Sequence, residues 1–174
     1  MKKALIISIL ILNTIFYSCS QDEYQEFPEY GFKIKCNCNL SENASFNDAI
    51  KKQGKTKGGA LICSKGSNND NNVEIYNIVI TDVSEIFDQN PKYNSYVSEK
   101  LIKEYENNLI NSGFKYRRVK FLNSNALEFN YNQNDYPRKA IIFIKNKMHF
   151  MLQIGTKNNI DSKFNDFVNS FKSI

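Results

Sequence analysis

The sequence predicts a mixed α/β (α+β) domain, a three-layer α/β/α sandwich around a largely antiparallel sheet of about six to seven strands. The segments AIIFI (140–144) and MHFMLQI (148–154) are apolar at nearly every position, whereas a strand with one wet face alternates. Segments with helical periodicity stand at the start, middle and end of the domain. Together these observations predict a sheet that is covered by helices on both faces.

The first half of the domain opens with an alternating segment, GFKIKCNCNL (31–40). Its period of two predicts a half-buried strand with Cys36 and Cys38 facing inward. Three elements and a loop follow: a helix at 41–53, strands at 58–64 and 73–83, and the turn-rich loop GSNNDNN at 66–72 between them. The spacing of acids in this loop matches no EF-hand, so we interpret it as a turn rather than a calcium site.

The second half begins with the longest predicted helix, capped by Asn94 or Ser95 and closed at Gly113. Its apolar residues recur every three or four positions: Val97, Leu101, Ile102, Tyr105 and Leu109. Four strands and a closing helix follow, at 116–122, 126–132, 140–145, 148–156 and 161–174. The segment IKNKM predicts a tight hairpin, because Asn146 tolerates the left-handed conformation that such turns require.

The N-terminus predicts a lipoprotein signal peptide at 1–18. Two lysines precede an apolar run from Ala4 to Phe16, which is shorter than the about 20 residues that a transmembrane helix needs. Ser18 stands directly before Cys19, and this arrangement resembles the lipobox of bacterial lipoproteins, in which that cysteine carries a diacylglyceryl group. The alternative is an ordinary secretion signal with an incidental cysteine.

Residues 19–30 predict the lipidated cysteine and an acidic tether. This segment contains four acids and no base, and Pro28 interrupts regular structure. Its start, SQDE, is also similar to the acidic export tag of surface lipoproteins. We therefore expect an anchor in the outer membrane, with the domain exposed either to the periplasm or at the cell surface.

Residues 31–174 predict a single domain, and three segments, at its opening strand, central hairpin and final helix, carry a family resemblance. YGFKIKCNCNL, YPRKAIIFIKNKMHFMLQIGT and DSKFNDFVNSFKSI resemble the PsbP-like superfamily, which includes the oxygen-evolving enhancer of photosystem II and a Ran-binding transport factor. The resemblance implies the sandwich fold and a role in binding or assembly. The metal-binding histidines of some members have no counterpart, because His149 is the single histidine of the chain.

The cysteines are the residues most suited to chemistry. With Cys19 lipidated, Cys36, Cys38 and Cys63 remain, in a compartment that favours disulfides. Cys36 and Cys38 lie two apart on one predicted strand, where a bridge between them would be strained. We predict a disulfide between Cys63 and Cys38, or alternatively between Cys63 and Cys36. Three free buried thiols, or a copper(I) or zinc site, are the remaining interpretations.

Basic residues form several clusters in a chain of net charge +5. Such clusters are usually a solvated surface, but if they converge they form a docking patch for an acidic protein, glycan or lipid headgroup. The residues of this predicted patch are Lys51, Lys52, Arg117, Arg118, Arg138 and Lys139. Nucleic acid is not an expected partner outside the cytoplasm.

The chain contains no recognisable catalytic motif or phosphate-binding loop, so we expect a protein that is not an enzyme and uses no metal or cofactor. Our first hypothesis is a lipid-anchored accessory protein of the envelope that binds a protein partner, whose local concentration the anchor raises. The alternative hypothesis is a carrier of a small apolar ligand or lipid.

Overall fold

The computed structural model describes residues 23–52, 58–66, 72–89, 91–133 and 136–174. The predicted signal peptide at 1–18 and the predicted lipidation site, Cys19, lie outside these ranges. Within the described residues, no helix has both the length and the apolar character needed to cross a bilayer. The fold is mixed α/β with antiparallel sheets, as the sequence predicts.

Seven strands form the larger sheet, in which every neighbouring pair is antiparallel. In chain order the strands are β3 (Ser41–Glu42), β4 (Gly58–Lys65), β5 (Glu74–Asp82), β6 (Lys115–Phe121), β7 (Ser124–Gln133), β8 (Tyr136–Lys145) and β9 (Met148–Thr156). Across the sheet they lie in the order β3-β4-β5-β9-β8-β7-β6. The two strands with continuous apolar sequence, β8 and β9, are therefore internal, which explains their burial on both faces.

A second sheet of three strands joins the first and the last strands of the described part of the chain. It contains β1 (Tyr24–Phe27), β2 (Phe32–Lys35) and β10 (Lys172–Ser173), with β2 in the centre. The tether predicted for residues 19–30 is therefore wrong for its second half, since residues 24–30 belong to the fold. The reason is strand pairing: Phe27 lies opposite Phe32 across the β1–β2 hairpin and stacks on it, with 5.1 Å between the ring centroids.

Four helices complete the fold: α1 (Ala44–Lys52), α2 (Ser84–Asp88), α3 (Asn94–Asn111) and α4 (Ile160–Asn169). The predicted apolar side of α3 is confirmed, because Val97, Leu101, Ile102 and Leu109 are buried. The closing helix is shorter than the predicted 161–174, since the chain leaves α4 after Asn169 to pair β10 with β2. Short 3-10 turns stand at Pro28–Tyr30 and Pro91–Tyr93.

Two apolar clusters lie on opposite faces of the large sheet, because alternate residues of each strand point in opposite directions. In β8, Ile141 and Phe143 belong to the cluster that also contains Phe164 and Phe167 of α4. Ala140, Ile142 and Ile144 belong to the other cluster, with the buried residues of α3. Each fully buried large side chain of this kind stabilises the fold by about 1.5–3 kcal/mol.

Two tight hairpins connect the later strands. Asn146 and Lys147, between β8 and β9, both have positive φ angles, of 50° and 59°. Leu122 and Asn123 do the same between β6 and β7. Two successive residues with positive φ are typical of type I′ turns, which match the right-handed twist of the flanking strands. The left-handed conformation predicted for Asn146 is thus confirmed.

Candidate functional site

The three cysteines of the domain meet beside the end of β2. The sulfurs of Cys38 and Cys63 lie at bonding distance, with their α-carbons 5.9 Å apart. This is the pairing that the sequence analysis placed first. The bridge ties the segment after β2 to β4, across 25 residues of chain that include α1.

Cys36 is the third member of this cluster. Its thiol is free and buried, and its sulfur lies 3.3 Å from the sulfur of Cys63 and 3.9 Å from that of Cys38. Burial raises the pKa of the Cys36 thiol to about 11. The thiol is therefore protonated at neutral pH, and a nucleophilic role does not fit it.

A departure from the predicted strand brings the cysteines together. The strand predicted to run to residue 40 ends at Lys35, and the chain then bends. Gln25 of β1 holds the bend at both ends: its Nε2 donates to the Cys38 carbonyl at 2.9 Å, and its Oε1 accepts from the Leu40 amide at 2.7 Å. The bend leaves Cys38 half-buried and directed at Cys63, whereas a continued strand would have kept it parallel to Cys36.

A polar network adjoins Cys36. The Tyr76 hydroxyl donates to the Glu74 carboxylate at 2.7 Å, and Asn37 donates to that hydroxyl at 3.1 Å. Lys163 of α4 lies 2.7 Å from the same carboxylate. Desolvation alone would raise the pKa of Glu74, but the hydrogen bonds from Lys163, Tyr76 and Asn37 outweigh it and leave that pKa lowered. Burial and the bond to Glu74 raise the pKa of Tyr76.

Glu74 and Tyr76 were not predicted as site residues. Their spacing of two places them on one face of β5, and this pattern is visible in the sequence. Lys163 comes from a helix 89 positions later in the numbering, which no local pattern connects to β5. In this network the carboxylate is ionised and the hydroxyl protonated, and the ion pair with Lys163 holds β5 to α4.

Two cavities flank the cysteine cluster. One, of about 190 Å³, is lined by Cys36 together with Lys35, Tyr76, Lys163 and Phe167, among others. The other, of about 550 Å³, is an open surface depression lined by Cys38 and Cys63 with Asn39, Ser41, Ser64 and three apolar side chains. The cluster therefore faces solvent-accessible space on two sides.

The predicted docking patch is not formed by its described members. Arg117 and Arg118 are neighbours on β6, so strand alternation sends them to opposite faces of the sheet. Arg117 binds Glu128 of β7, with nitrogen–oxygen distances of 2.9 and 3.0 Å. Arg118 binds Glu106 and Glu99 of α3, each at 2.6 Å. Both charges are thus balanced within the fold.

The same alternation separates Arg138 from Lys139. Lys139 is buried and lies 2.6 Å from Asp161 and 3.1 Å from Glu128. Desolvation lowers the pKa of Lys139, but the bonds to Asp161 and Glu128 outweigh it and raise that pKa. The side chains of Lys51 and Lys52 lie outside the described part of the chain, so a convergence of all six residues is not observed.

His149 has a packing contact rather than a ligand geometry. Its ring is buried and stacks on Tyr105 of α3, with 4.3 Å between the centroids. The stack joins β9 to α3 on the face opposite the cysteine cluster.

An exposed apolar groove lies on α2 and α3. Tyr96 is 68% exposed and Ile86 is 41% exposed, although both are large hydrophobic residues. They line a depression of about 260 Å³ with Val97, Leu101, Lys100 and Glu104. We call this surface the α2–α3 groove.

Comparisons with known proteins do not assign the chain to a family. No protein-family model matches it, and a search of the curated proteins finds no match.

Proposed function

We propose that this protein is a lipid-anchored accessory protein of the bacterial envelope that is not an enzyme and binds another protein through the α2–α3 groove. The lipobox-like segment ending at Cys19 supports the anchor. The two apolar clusters on opposite faces of the sheet support the finer proposal that the domain is a three-layer sandwich, as the resemblance to the PsbP-like superfamily implies.

The exposure of Tyr96 is the observation that carries this proposal. A tyrosine with two thirds of its surface in water gains little from the fold, whereas tyrosines are enriched among the residues that dominate protein–protein binding. Lys100 and Glu104 stand beside the apolar lining of the groove. An apolar centre with a charged rim is the usual anatomy of such interfaces.

The partner that fits this groove is a protein segment that presents an apolar side chain between charged residues of both signs. A depression of about 260 Å³ accommodates one or two side chains, which is smaller than a usual site for a drug-sized ligand. Anchoring would raise the local concentration of the domain near a membrane-bound partner, so a modest contact suffices.

Two observations support a role without catalysis. The network around Glu74 and Tyr76 has each polar group bonded to a neighbour, and the Cys36 thiol is protonated at neutral pH. Neither arrangement supplies an activated nucleophile with a free base beside it.

The alternative function, a carrier of a small apolar ligand, draws on the cavity beside Cys38 and Cys63. Its volume of about 550 Å³ lies in the range of small-ligand sites, and Ile62, Val73 and Ile75 contribute apolar surface. We rank it second because the cavity is open and carries Asn39, Ser41 and Ser64 as well.

Site-specific photocrosslinking in living cells tests the proposal. A photoreactive amino acid replaces Tyr96 in the full chain, and a matched variant carries it at Asn130, an exposed residue of β7 on the opposite face of the sheet. We expect a defined protein adduct from position 96 that is absent from position 130, and loss of co-purification of that protein with Tyr96→Ala. Equal adducts at both positions, or none at 96, would reject the groove.

The anchor is tested separately. Cys19→Ala should move the protein from the membrane fraction and abolish its labelling by a lipid precursor. A small molecule or lipid that co-purifies with the intact protein, in the absence of a protein adduct, would favour the carrier.

A further inference from the structure

The three sulfurs of Cys36, Cys38 and Cys63 form a triangle in which all atoms lie within 4.8 Å of one another. A single disulfide requires two of them. The third, on Cys36, stands 3.3 Å and 3.9 Å from the other two, although nothing in the disulfide requires a thiol there. This convergence is the observation that neither the anchor nor the α2–α3 groove explains.

A triangle of this size matches three ligands around one metal ion. Metal–thiolate bonds of about 2.3 Å place three sulfurs around a shared ion at about 4 Å from each other. The Cys36–Cys38 distance is already 3.9 Å. Opening the Cys38–Cys63 bridge would let those two sulfurs separate toward the same spacing.

The donor set selects the ion. Within the described residues, the cluster contains three sulfur ligands, and no imidazole or carboxylate joins it. Structural zinc sites are four-coordinate, so three thiolates leave zinc one ligand short. Soft thiolate ligands favour copper(I), which accepts fewer ligands. We propose that the reduced Cys36–Cys38–Cys63 cluster binds one Cu(I) ion through three sulfurs.

The Cys38–Cys63 bridge must be reduced before the ion binds. A dithiol reductant gives two electrons and two protons to the Cys38–Cys63 bridge and becomes a disulfide itself, which leaves three thiols in the cluster. One Cu(I) then replaces the three thiol protons and forms a complex with a net charge of −2. Copper keeps its oxidation state throughout.

The surroundings suit such a complex. Cys38 is half-buried and lines the open cavity with Cys63, so an ion reaches the cluster from that side. On the other side, Lys35 lines the cavity that Cys36 shares, and its positive charge offsets part of the charge of the anionic complex.

A competition titration tests the site with the full chain in detergent. The chain is reduced by a phosphine under nitrogen and receives Cu(I), as its acetonitrile complex, against the chromophoric competitor bicinchoninate. We expect one equivalent to bind, with a sulfur-to-copper charge-transfer band in the ultraviolet and three sulfur neighbours by X-ray absorption. In the oxidised chain the bridge occupies two of the three sulfurs, so we expect its affinity for Cu(I) to be lower by about 100-fold or more.

Variants separate the cluster from other thiols. Cys36→Ser should lower the affinity by about 100-fold or more, whereas Cys19→Ser should leave it unchanged, because the proposed site uses the sulfurs of Cys36, Cys38 and Cys63 alone. Equal affinity of the oxidised and reduced chains, retention of copper by Cys36→Ser, or tighter four-coordinate binding of Zn²⁺ would overturn the proposal. None of these outcomes depends on the α2–α3 groove, whose test is the crosslinking at position 96.

Discussion

Arg138 of β8 lies directly opposite Gly155 of β9, and its side chain occupies the space where a β-carbon at residue 155 would stand. A methyl group there would come within 2.7 Å of the arginine Cδ and 2.8 Å of its Nε. The position of its neighbour, rather than its own backbone conformation, therefore favours glycine at residue 155.

Gly155→Ala should therefore destabilise the protein by about 1–2 kcal/mol, because the strand interior cannot absorb the added carbon without displacing Arg138. Urea unfolding measures the loss. Arg138→Ala combined with Gly155→Ala should recover part of it, with a coupling of at least about 0.5 kcal/mol in the double-mutant cycle. Simple addition of the two single effects would contradict this explanation.

The cysteine cluster predicts an asymmetry between two alanine variants under oxidising conditions. Cys63→Ala removes the sulfur that both partners need, and should cost about 3 kcal/mol of unfolding free energy. Cys38→Ala should cost less, because the Cys36 sulfur already lies 3.3 Å from that of Cys63 and can form the replacement bridge. Urea unfolding gives the two values.

Peptide mapping without reduction provides the control. It should find a Cys36–Cys63 bridge in Cys38→Ala, and the original Cys38–Cys63 bridge in Cys36→Ala. Equal destabilisation of Cys38→Ala and Cys63→Ala, with no new bridge, would show that Cys36 is held too rigidly to pair.

Arg118 should contribute more to stability than its neighbour Arg117. Arg118 links β6 to two carboxylates of α3, Glu99 and Glu106, and it is partly shielded from water. After allowance for solvent screening, Arg118→Ala should cost about 1 kcal/mol, and the cost should shrink in 1 M NaCl.

Arg117→Ala is the matched control on the opposite face of β6. Its guanidinium is largely in water, and its partner Glu128 retains Lys139, so we expect a smaller loss. Arg118→Lys should restore only part of the stability, because an ammonium cannot reproduce the two-pronged bond to Glu106. A larger loss for Arg117→Ala would contradict the assignment.

Acid should weaken the fold through these same carboxylates. Hydrogen bonds from Arg118 lower the pKa of Glu106 and of Glu99, and the bond from Lys139 lowers that of Asp161. Because the folded state holds these protons less tightly than the unfolded chain, their stabilisation is present above the unfolded pKa of about 4 and is lost as the pH falls below it.

Urea unfolding at pH 7, 5 and 3.5 measures this dependence. We expect little change between pH 7 and 5 and a clear loss at 3.5. Glu106→Gln should be less stable at pH 7 and should lose less on acidification. If the unfolding free energy of Glu106→Gln fell with pH as steeply as that of the unsubstituted protein, the acid-sensitive group would be a different one.

Local patterns were sufficient for most of the helices and strands. A few adjacent residues are enough to show the helical period of α3 and the continuous apolar sequence of β8 and β9. The same is true of the left-handed turn at Asn146. Local patterns were insufficient for β1, β3 and β10, since strands of two to four residues are too short to show a clear period of two and form only by pairing with another strand. The acids of residues 19–30 suggested a tether because the contact of Phe27 with Phe32 is not visible in composition.

The predicted basic patch is a case in which a local sequence pattern did not correspond to a surface of the fold. Arg117 and Arg118 are adjacent in the sequence, but a strand places neighbouring side chains on opposite faces of the sheet. Arg117 pairs with Glu128 on one face and Arg118 with Glu106 on the other. Charge counts describe the chain, whereas ion pairs are a property of the folded arrangement. No charge pattern indicated the groove around Tyr96, because it is formed by residues that α2 and α3 bring together.

The sequence by itself determined that the domain is mixed α/β, which strands are buried on both faces, and that three cysteines lie within it, because periodicity and residue type are local properties. The tertiary structure alone decided that Cys36 joins the bridged pair at 3.3 Å, and which acids pair with Arg117 and Arg118. These outcomes depend on distances between segments far apart in the chain, which are set by packing the apolar faces together.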